Sequence, residues 1–179
     1  SGNNTVSYAT DSSGINVSLD QGNGIDGYGK TDTYTDIDNV LGSSENDIIE
    51  GDSNDNILDG SAGIDTLTYE NSNAGVTVDL SITTQQNTVN EGLDTISNFE
   101  NLTGSGGNDS LTGDDNVNVI TGKVGNDYIE GKAGADLLYG GVGNDTFIIN
   151  EGDGNDTIED LDGIDKIVLA ICDAAFGAS

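Results

Sequence analysis

Residues 122–130 read GKVGNDYIE, and the same phrase follows twice more in register, as GKAGADLLY at 131–139 and GGVGNDTFI at 140–148. In each nine-residue copy, or nonad, the first and fourth residues are Gly, the sixth is Asp and the eighth is apolar. A fixed period is the sequence signature of a solenoid, whose repeats bury their apolar side chains only by stacking on one another. The stretch therefore predicts an all-β solenoid.

The nonads extend well beyond these three copies. Five regular ones begin at Gly42, Gly51, Gly60, Gly104 and Gly113, and two looser ones begin at Glu151 and Asp160. Their sixth positions, in order, are Asp47, Asn56, Asp65, Asp109, Asn118, Asp156 and Asp165. Ten nonads in register do not arise by chance, so the periodicity governs the fold.

A longer repeat is superimposed on the nonads. Residues 4–8 (NTVSY) match 65–69 (DTLTY) at an offset of 61, and residues 37–43 (IDNVLGS) match 99–105 (FENLTGS) at an offset of 62. These offsets predict repeat unit 1 at 1–61, unit 2 at 62–123, further nonads at 124–150, and a C-terminal capping segment and tail at 151–179. Because the chain opens in the middle of a unit, we expect a fragment of a longer repetitive protein.

The residue types of the nonad predict how it folds. Gly at the first and fourth positions permits positive φ and close approach of neighbouring backbones, in a turn that aims carbonyl oxygens inward. The last three residues form a short strand whose middle side chain, at the eighth position, points into the core. Two nonads make one 18-residue coil, and successive coils stack at the strand spacing of about 4.8 Å.

The same turn predicts a metal. Carbonyl oxygens together with the sixth-position carboxylate form an oxygen-only set of the kind that calcium prefers. An ion is expected between each nonad and the one two places further on. The facing residues are then Asp109 with Asp127, Asp127 with Asp145, Asn118 with Asp136, Asp136 with Asp156, and Asp47 with Asp65. The candidate ligands, by side chain or carbonyl, are Asp47, Asp65, Asp109, Asn118, Asp127, Asp136, Asp145, Asp156, Asp165, Gly107, Gly122, Val124, Gly125, Gly131, Ala133, Gly134, Gly140, Gly141 and Gly143.

These repeats resemble those of the repeats-in-toxin (RTX) family of secreted bacterial proteins. The segments 154–161 (GNDTIEDL) and 163–169 (GIDKIVL) resemble its C-terminal capping strands, and 69–80 and 99–104 resemble inserts of long RTX proteins. The resemblance implies a right-handed parallel β-roll with longer inserted coils, calcium-driven folding outside the cell and type I secretion. Asn56 and Asn118 depart from the sixth-position Asp, and Glu45, Asn54 and Asn116 depart from the fourth-position Gly.

Composition supports a calcium-dependent fold. The formal net charge is −29, from 33 acidic residues against four Lys. Self-repulsion of this size opposes compaction, so calcium binding would contribute the missing folding free energy, with about five ions in sites of extracellular affinity. Four scattered Lys form no basic patch for nucleic acid. No run approaches the ~18 apolar residues of a membrane span.

Catalysis is not expected. The chain has no His and a single Cys, Cys172, so it lacks the residues for Ser-His-Asp or Cys-His catalysis and for an imidazole zinc site. The outward seventh and ninth positions are irregular and form no Thr ladder for ice binding. The two non-repeat segments, 20–36 and 81–98, are interpreted as solvated loops, with an extra calcium loop or a binding tip as the alternative for the first.

The function expected from the sequence is a calcium-binding structural and spacer module of an extracellular or cell-surface protein, with a large adhesin as the expected parent. Cell-surface or polysaccharide ligands would then be bound through the parent protein. One alternative is the non-catalytic C-terminal module of a secreted protease, lipase or polysaccharide-modifying enzyme. The other is a subunit of an extracellular filament or surface layer, in which the coils would self-assemble end to end.

Overall fold

The computed structural model describes residues 3–159 and 162–170, and in this part of the chain all regular structure is β. No helix there is long and apolar enough to cross a membrane. The strands are β1 (Thr5–Ser7), β2 (Asn16–Ser18), β3 (Asn23–Ile25), β4 (Thr31–Thr33), β5 (Asn39–Leu41), β6 (Ile48–Glu50), β7 (Ile57–Asp59), β8 (Thr66–Thr68), β9 (Thr77–Asp79), β10 (Gln86–Asn87), β11 (Leu93–Ser97), β12 (Asn101–Thr103), β13 (Ser110–Thr112), β14 (Val119–Val124), β15 (Tyr128–Glu130), β16 (Leu137–Val142), β17 (Thr146–Asn150), β18 (Thr157–Glu159) and β19 (Lys166–Ala170).

The strands stack in parallel, and the predicted parallel β-roll is confirmed. One sheet has the order β18-β16-β14-β12-β8-β6-β2-β3-β4, and two five-stranded sheets have the orders β1-β5-β7-β11-β10 and β19-β17-β15-β13-β9. From β12 onward the chain alternates between the first and the last of these sheets. Within the regular nonads the register advances by one 18-residue coil, so that Leu111 pairs with Ile129 and Ile120 with Leu138.

The eighth-position side chains form the core of the roll. Those of the eight regular nonads are at most 1% exposed, and they are Ile49, Leu58, Leu67, Leu111, Ile120, Ile129, Leu138 and Phe147. Burial of such a side chain stabilises the fold by about 1.5–3 kcal/mol. The two looser nonads differ, because Ile158 is only half-buried and Ile167 is 56% exposed on β19, the edge strand of its sheet.

The two non-repeat segments are not loops, and this prediction was wrong. Within 20–36, β3 and β4 form an antiparallel hairpin that extends the edge of the long sheet beyond β2. Within 81–98, β10 pairs antiparallel with β11, and β11 pairs in parallel with β7. The Gln86 amide donates to the Asp79 carbonyl at 3.0 Å and accepts from the Asp79 N–H at 2.9 Å. Both segments therefore satisfy backbone groups that a strand edge would leave open.

Positive φ occurs at the second and fourth positions of four of the eight regular nonad turns, and not at the first position. Gly125 has φ 144° and Gly143 has φ 144°, and a side chain on either would meet the backbone of the previous coil. Gly122, a first-position residue, needs no positive φ, and the residue after it, Lys123, has φ 79° instead. The first-position Gly is required by space alone, whereas in the turns with positive φ the fourth-position Gly is required by space and conformation together.

Candidate metal centres

Two ladders of carboxylates run along the edges of the roll, where the turns enter the strands. In each ladder, one oxygen of a sixth-position Asp accepts a hydrogen bond from the sixth-position N–H of the coil before. Asp127 Oδ1 accepts from Asp109 at 2.9 Å, and Asp145 Oδ1 accepts from Asp127 at 2.8 Å. The same bond joins Asp47 to Asp65, Asn118 to Asp136, and Asp136 to Asp156. The structure thus brings together all five pairs that the nonad spacing predicted.

The second oxygen of several of these carboxylates is buried without a hydrogen-bond partner in the described part of the chain. This holds for Oδ2 of Asp65, Asp127 and Asp136, residues that are at most 2% exposed. A buried acceptor without a partner costs about 1–3 kcal/mol, and more when it is charged. Such atoms call for a ligand that supplies positive charge.

A small space lined by oxygen lies beside the orphaned oxygens of Asp65 and Asp127. A methyl group built on Gly122 would lie under 3.0 Å from Asp127 Oδ2 and 2.6 Å from the carbonyl oxygen of Gly140, in the next coil. A methyl group built on Gly60 would lie 2.8 Å from Asp65 Oδ2 and under 3.0 Å from the carbonyl oxygen of Asn98, in the next coil. An oxygen-lined space of this kind fits calcium, a hard cation that takes carboxylate and carbonyl ligands.

Burial disfavours the charged form of the same carboxyls. It raises the pKa of Asp127 from 3.8 to about 7, and those of Asp65 and Asp136 from 3.8 to about 6. Neighbouring carboxylates add to the rise in pKa, and the ladder N–H of the previous coil opposes it. A bound divalent cation would reverse this balance by stabilising the ionised form.

Side chains alone do not complete a metal shell. Within residues 3–159 and 162–170, no three acidic or other ligating side chains come together as a group. Calcium takes six to eight oxygens, so backbone carbonyls must supply most of them. The predicted carbonyl donors Gly107, Gly125, Gly134 and Gly143 each place that oxygen against the fourth-position Gly, or its equivalent, of the next coil.

The other predicted ligands occupy varied positions. Gly141 has φ 109° and contacts the Lys123 backbone, Val124 lies exposed in β14, and Ala133 is half-buried between β15 and β16. Asp156 is half-buried and Asp165 is exposed, although each accepts its ladder bond at 3.0 Å. Cys172 and the start of the nonad at Asp160 lie outside the described residues.

Asn118 donates hydrogen bonds from its side chain as well as accepting one, which an ionised Asp cannot do. Its Oδ1 accepts from the Asp114 N–H at 2.8 Å, and its Nδ2 donates to the Glu100 carbonyl at 2.8 Å and to Asp114 Oδ1 at 3.1 Å. Asn56 makes the equivalent bonds with Asp52 and Asp38. The side-chain N–H of each Asn therefore donates to a carbonyl oxygen that a cation would otherwise bind.

Three residues that join the ladders lie outside the nonads and were not predicted from them. Asp94 Oδ1 accepts from the Asn56 N–H at 2.9 Å, Glu100 Oε2 accepts from the Asp65 N–H at 2.8 Å, and Asp38 Oδ2 accepts from the Asn4 N–H at 2.8 Å. Each precedes an apolar strand residue by two positions, as in 94–97 (DTIS), 100–103 (ENLT) and 38–41 (DNVL). That spacing between acid and apolar residue was the signal available in the sequence.

Comparison with known proteins agrees with this geometry. A model of the RTX calcium-binding nonapeptide repeat matches the chain in four copies, over residues 32–67, 96–129 and 121–148. The matched segments contain Asp65, Asp127 and Asp136, the residues with orphaned oxygens. No curated protein matches the chain.

Proposed function

The chain belongs to the RTX family of calcium-binding nonapeptide repeat proteins, and from this premise we propose that it is a structural module that folds on binding calcium. Its role would be to fold after export and then to hold other parts of an extracellular protein apart. A stack of parallel coils suits that role, because its length is set by the number of coils and its shape by their regular spacing.

The observation that carries the proposal is the set of buried carboxylate oxygens without partners. Asp65, Asp127 and Asp136 each bring one to the edge of the roll, and those of Asp65 and Asp127 lie beside a carbonyl oxygen of the next coil. Without a cation, these groups and a net charge of −29 oppose folding. With calcium bound, the same groups join coil to coil, and the free energy of binding becomes free energy of folding.

An extracellular location is supported by the coupling itself. Calcium sites of extracellular modules have dissociation constants of about 10⁻⁴–10⁻³ M, so a module of this type would stay unfolded where calcium is scarce. We propose that the parent protein is a large adhesin and that the module has no catalytic activity of its own. The chemistry of the chain supports the second point, since it has no His.

A calcium titration followed by far-ultraviolet circular dichroism tests the proposal. We expect a cooperative transition from coil to β structure that chelator reverses and that magnesium does not produce at the same concentration. Magnesium demands a near-ideal octahedron and gives up its waters reluctantly, so carbonyl-rich turns should discriminate against it. An unchanged β spectrum with and without calcium would show that the apolar core alone supports the fold and would overturn the coupling.

A further inference from the structure

The eight regular nonad turns adopt two conformations. In the turns that begin at 60, 122, 131 and 140, here called open turns, the second residue has positive φ, at 79° for Ser61, 79° for Lys123, 67° for Lys132 and 109° for Gly141. The fourth residue of each open turn also has positive φ, between 140° and 147°. In the turns that begin at 42, 51, 104 and 113, here called closed turns, neither residue does.

The two conformations present opposite groups to the sixth side chain. In every closed turn the N–H of the second residue donates to the side-chain oxygen of the sixth. The bonds run from Ser43 to Asp47 at 2.6 Å, Asp52 to Asn56 at 2.8 Å, Ser105 to Asp109 at 2.7 Å, and Asp114 to Asn118 at 2.8 Å. In open turns this bond is missing from Asp65, Asp127 and Asp136, whose Oδ2 atoms have no partner in the described part of the chain.

The carbonyl oxygen of the first residue points towards the previous coil in all four open turns. The oxygens of Gly60, Gly122, Gly131 and Gly140 each lie within 3.0 Å of a methyl group built on the first-position Gly of that coil. A positive φ at the second residue therefore accompanies a peptide that offers an acceptor to the neighbouring coil. Three of these first-position Gly residues, Gly42, Gly104 and Gly113, begin closed turns. A closed turn therefore differs not in the nearby carbonyl oxygen but in the N–H that it donates to its own sixth side chain.

The coil that lies beneath a turn decides its conformation. Closed turns stack on the two stretches without nonads, residues 3–41 and 69–103, here called the inserts, where the ladder neighbours are Ile15, Asp38, Val76 and Glu100. Open turns stack on a nonad turn 18 residues earlier. Residue type does not decide alone. Ser43 and Ser61 occupy the second position in turns of opposite class, and Gly107 is a fourth-position Gly in a closed turn, although the other closed turns have Glu45, Asn54 and Asn116 there.

The open conformation is imposed even on residues that resist it. Positive φ costs a residue other than Gly about 1–2 kcal/mol. Lys123 and Lys132 nevertheless adopt it, and their side chains form ion pairs with Glu70 at 2.8 Å and Asp79 at 2.9 Å. Strained conformations of this kind persist where the surroundings over-determine them, and they concentrate at functional sites.

We propose that calcium binds only at the open turns. The closed turns are calcium-free starting turns, in which a backbone N–H donates to the sixth side chain in place of the ion. This rests on the proposed function and specifies which of its sites exist. Each insert is followed by one closed turn on each edge, and calcium sites begin one coil later. The sixth-position Asn of two closed turns agrees with this, because an amide N–H and a cation exclude one another at the same carbonyl oxygen.

Asp109→Asn and Asp127→Asn test the proposal in the complete 179-residue chain. The two variants carry the same substitution one coil apart on one edge of the roll. Asp109 lies in a closed turn and Asp127 lies in an open turn. Bound calcium is counted at saturation by equilibrium dialysis with elemental analysis. We expect Asp127→Asn to bind one ion fewer than the unchanged chain and Asp109→Asn to bind the same number. Equal losses would overturn the proposal, while an unchanged chain that binds no calcium would instead overturn the proposed function.

Asn118→Asp keeps the proposal falsifiable if Asp127→Asn fails to fold. It places a carboxylate in a closed turn, and by our reasoning the conformation, not the residue type, excludes calcium. We expect no additional ion. A gain of one bound ion would show that Asn alone prevented binding and that closed turns accept calcium.

Discussion

Acidification without calcium is expected to stabilise the metal-free roll, because three buried carboxyls resist ionisation in it. The pKa rises from 3.8 to about 7 for Asp127 and to about 6 for Asp65 and Asp136. A carboxyl whose pKa is raised by folding binds more protons in the folded chain, so stability falls as pH increases from the unfolded pKa to the folded one. At about 1.4 kcal/mol per pKa step, the three disfavour the metal-free roll at pH 8 by up to about 10 kcal/mol, comparable to the whole stability of a domain.

Lowering the pH from 8 to 5 in chelator removes about half of that penalty, because these groups then become protonated. We expect far-ultraviolet circular dichroism to show β structure appearing over this range, with sedimentation at each pH to detect aggregation near the pI of ≈ 4.1. A chain that stays unfolded at pH 5, or one that is already fully folded in chelator at pH 8, would refute the reasoning.

Two variants separate burial from general charge repulsion. Asp127→Asn removes a carboxyl that burial destabilises, so it should stabilise the metal-free roll at pH 8 and weaken the dependence on pH. Asp115→Asn removes the same charge from an exposed position, and it should do neither beyond a few tenths of a kcal/mol. If both variants behave alike, repulsion across the whole surface would be the cause.

Three further outcomes follow from packing and hydrogen bonding. Leu138→Ala should lower the free energy of unfolding of the calcium-loaded roll by about 2–5 kcal/mol in urea, whereas Val124→Ala, at a 51% exposed position, should change it little. Gly122→Ala fills the space beside Asp127 Oδ2 and should weaken calcium binding at least tenfold (about 1.4 kcal/mol) by titration calorimetry, whereas Gly106→Ala, with 3.5 Å to the nearest atom, should not. Gln86→Ala leaves two backbone groups open and should cost about 1–3 kcal/mol in thermal unfolding.

The regular part of the roll was predictable because its determinants are local. A strand of three residues alternates its side chains, so an apolar eighth position must point to one face, and repetition then stacks these side chains. Ile120, Ile129 and Leu138 follow this rule, and their side chains are fully buried. Ile167 does not, since burial of an eighth position also needs coils on both sides of it and β19 is an edge strand.

The inserts were not predictable in the same way. Asp94 and Glu100 enter the ladders from segments without nonad spacing, and their partners Asn56 and Asp65 lie 38 and 35 residues away. Nothing local specifies these pairs, because they depend on how the chain returns to the stack after β9. The sequence therefore indicates that the inserts interrupt the repeat, but not that they continue its hydrogen bonding.

The conformation of each turn depends on contacts of the same long range. Ser43 and Ser61 are identical residues at the same position of the nonad, yet one turn is closed on an insert and the other is open on a nonad. Even Gly107, a fourth-position Gly, lies in a closed turn without positive φ. A fourth-position Gly permits the open conformation but does not produce it. The open conformation occurs where the coil beneath is a nonad turn. A count of the GxxGxD pattern would therefore include the closed turn that begins at Gly104 among the calcium sites.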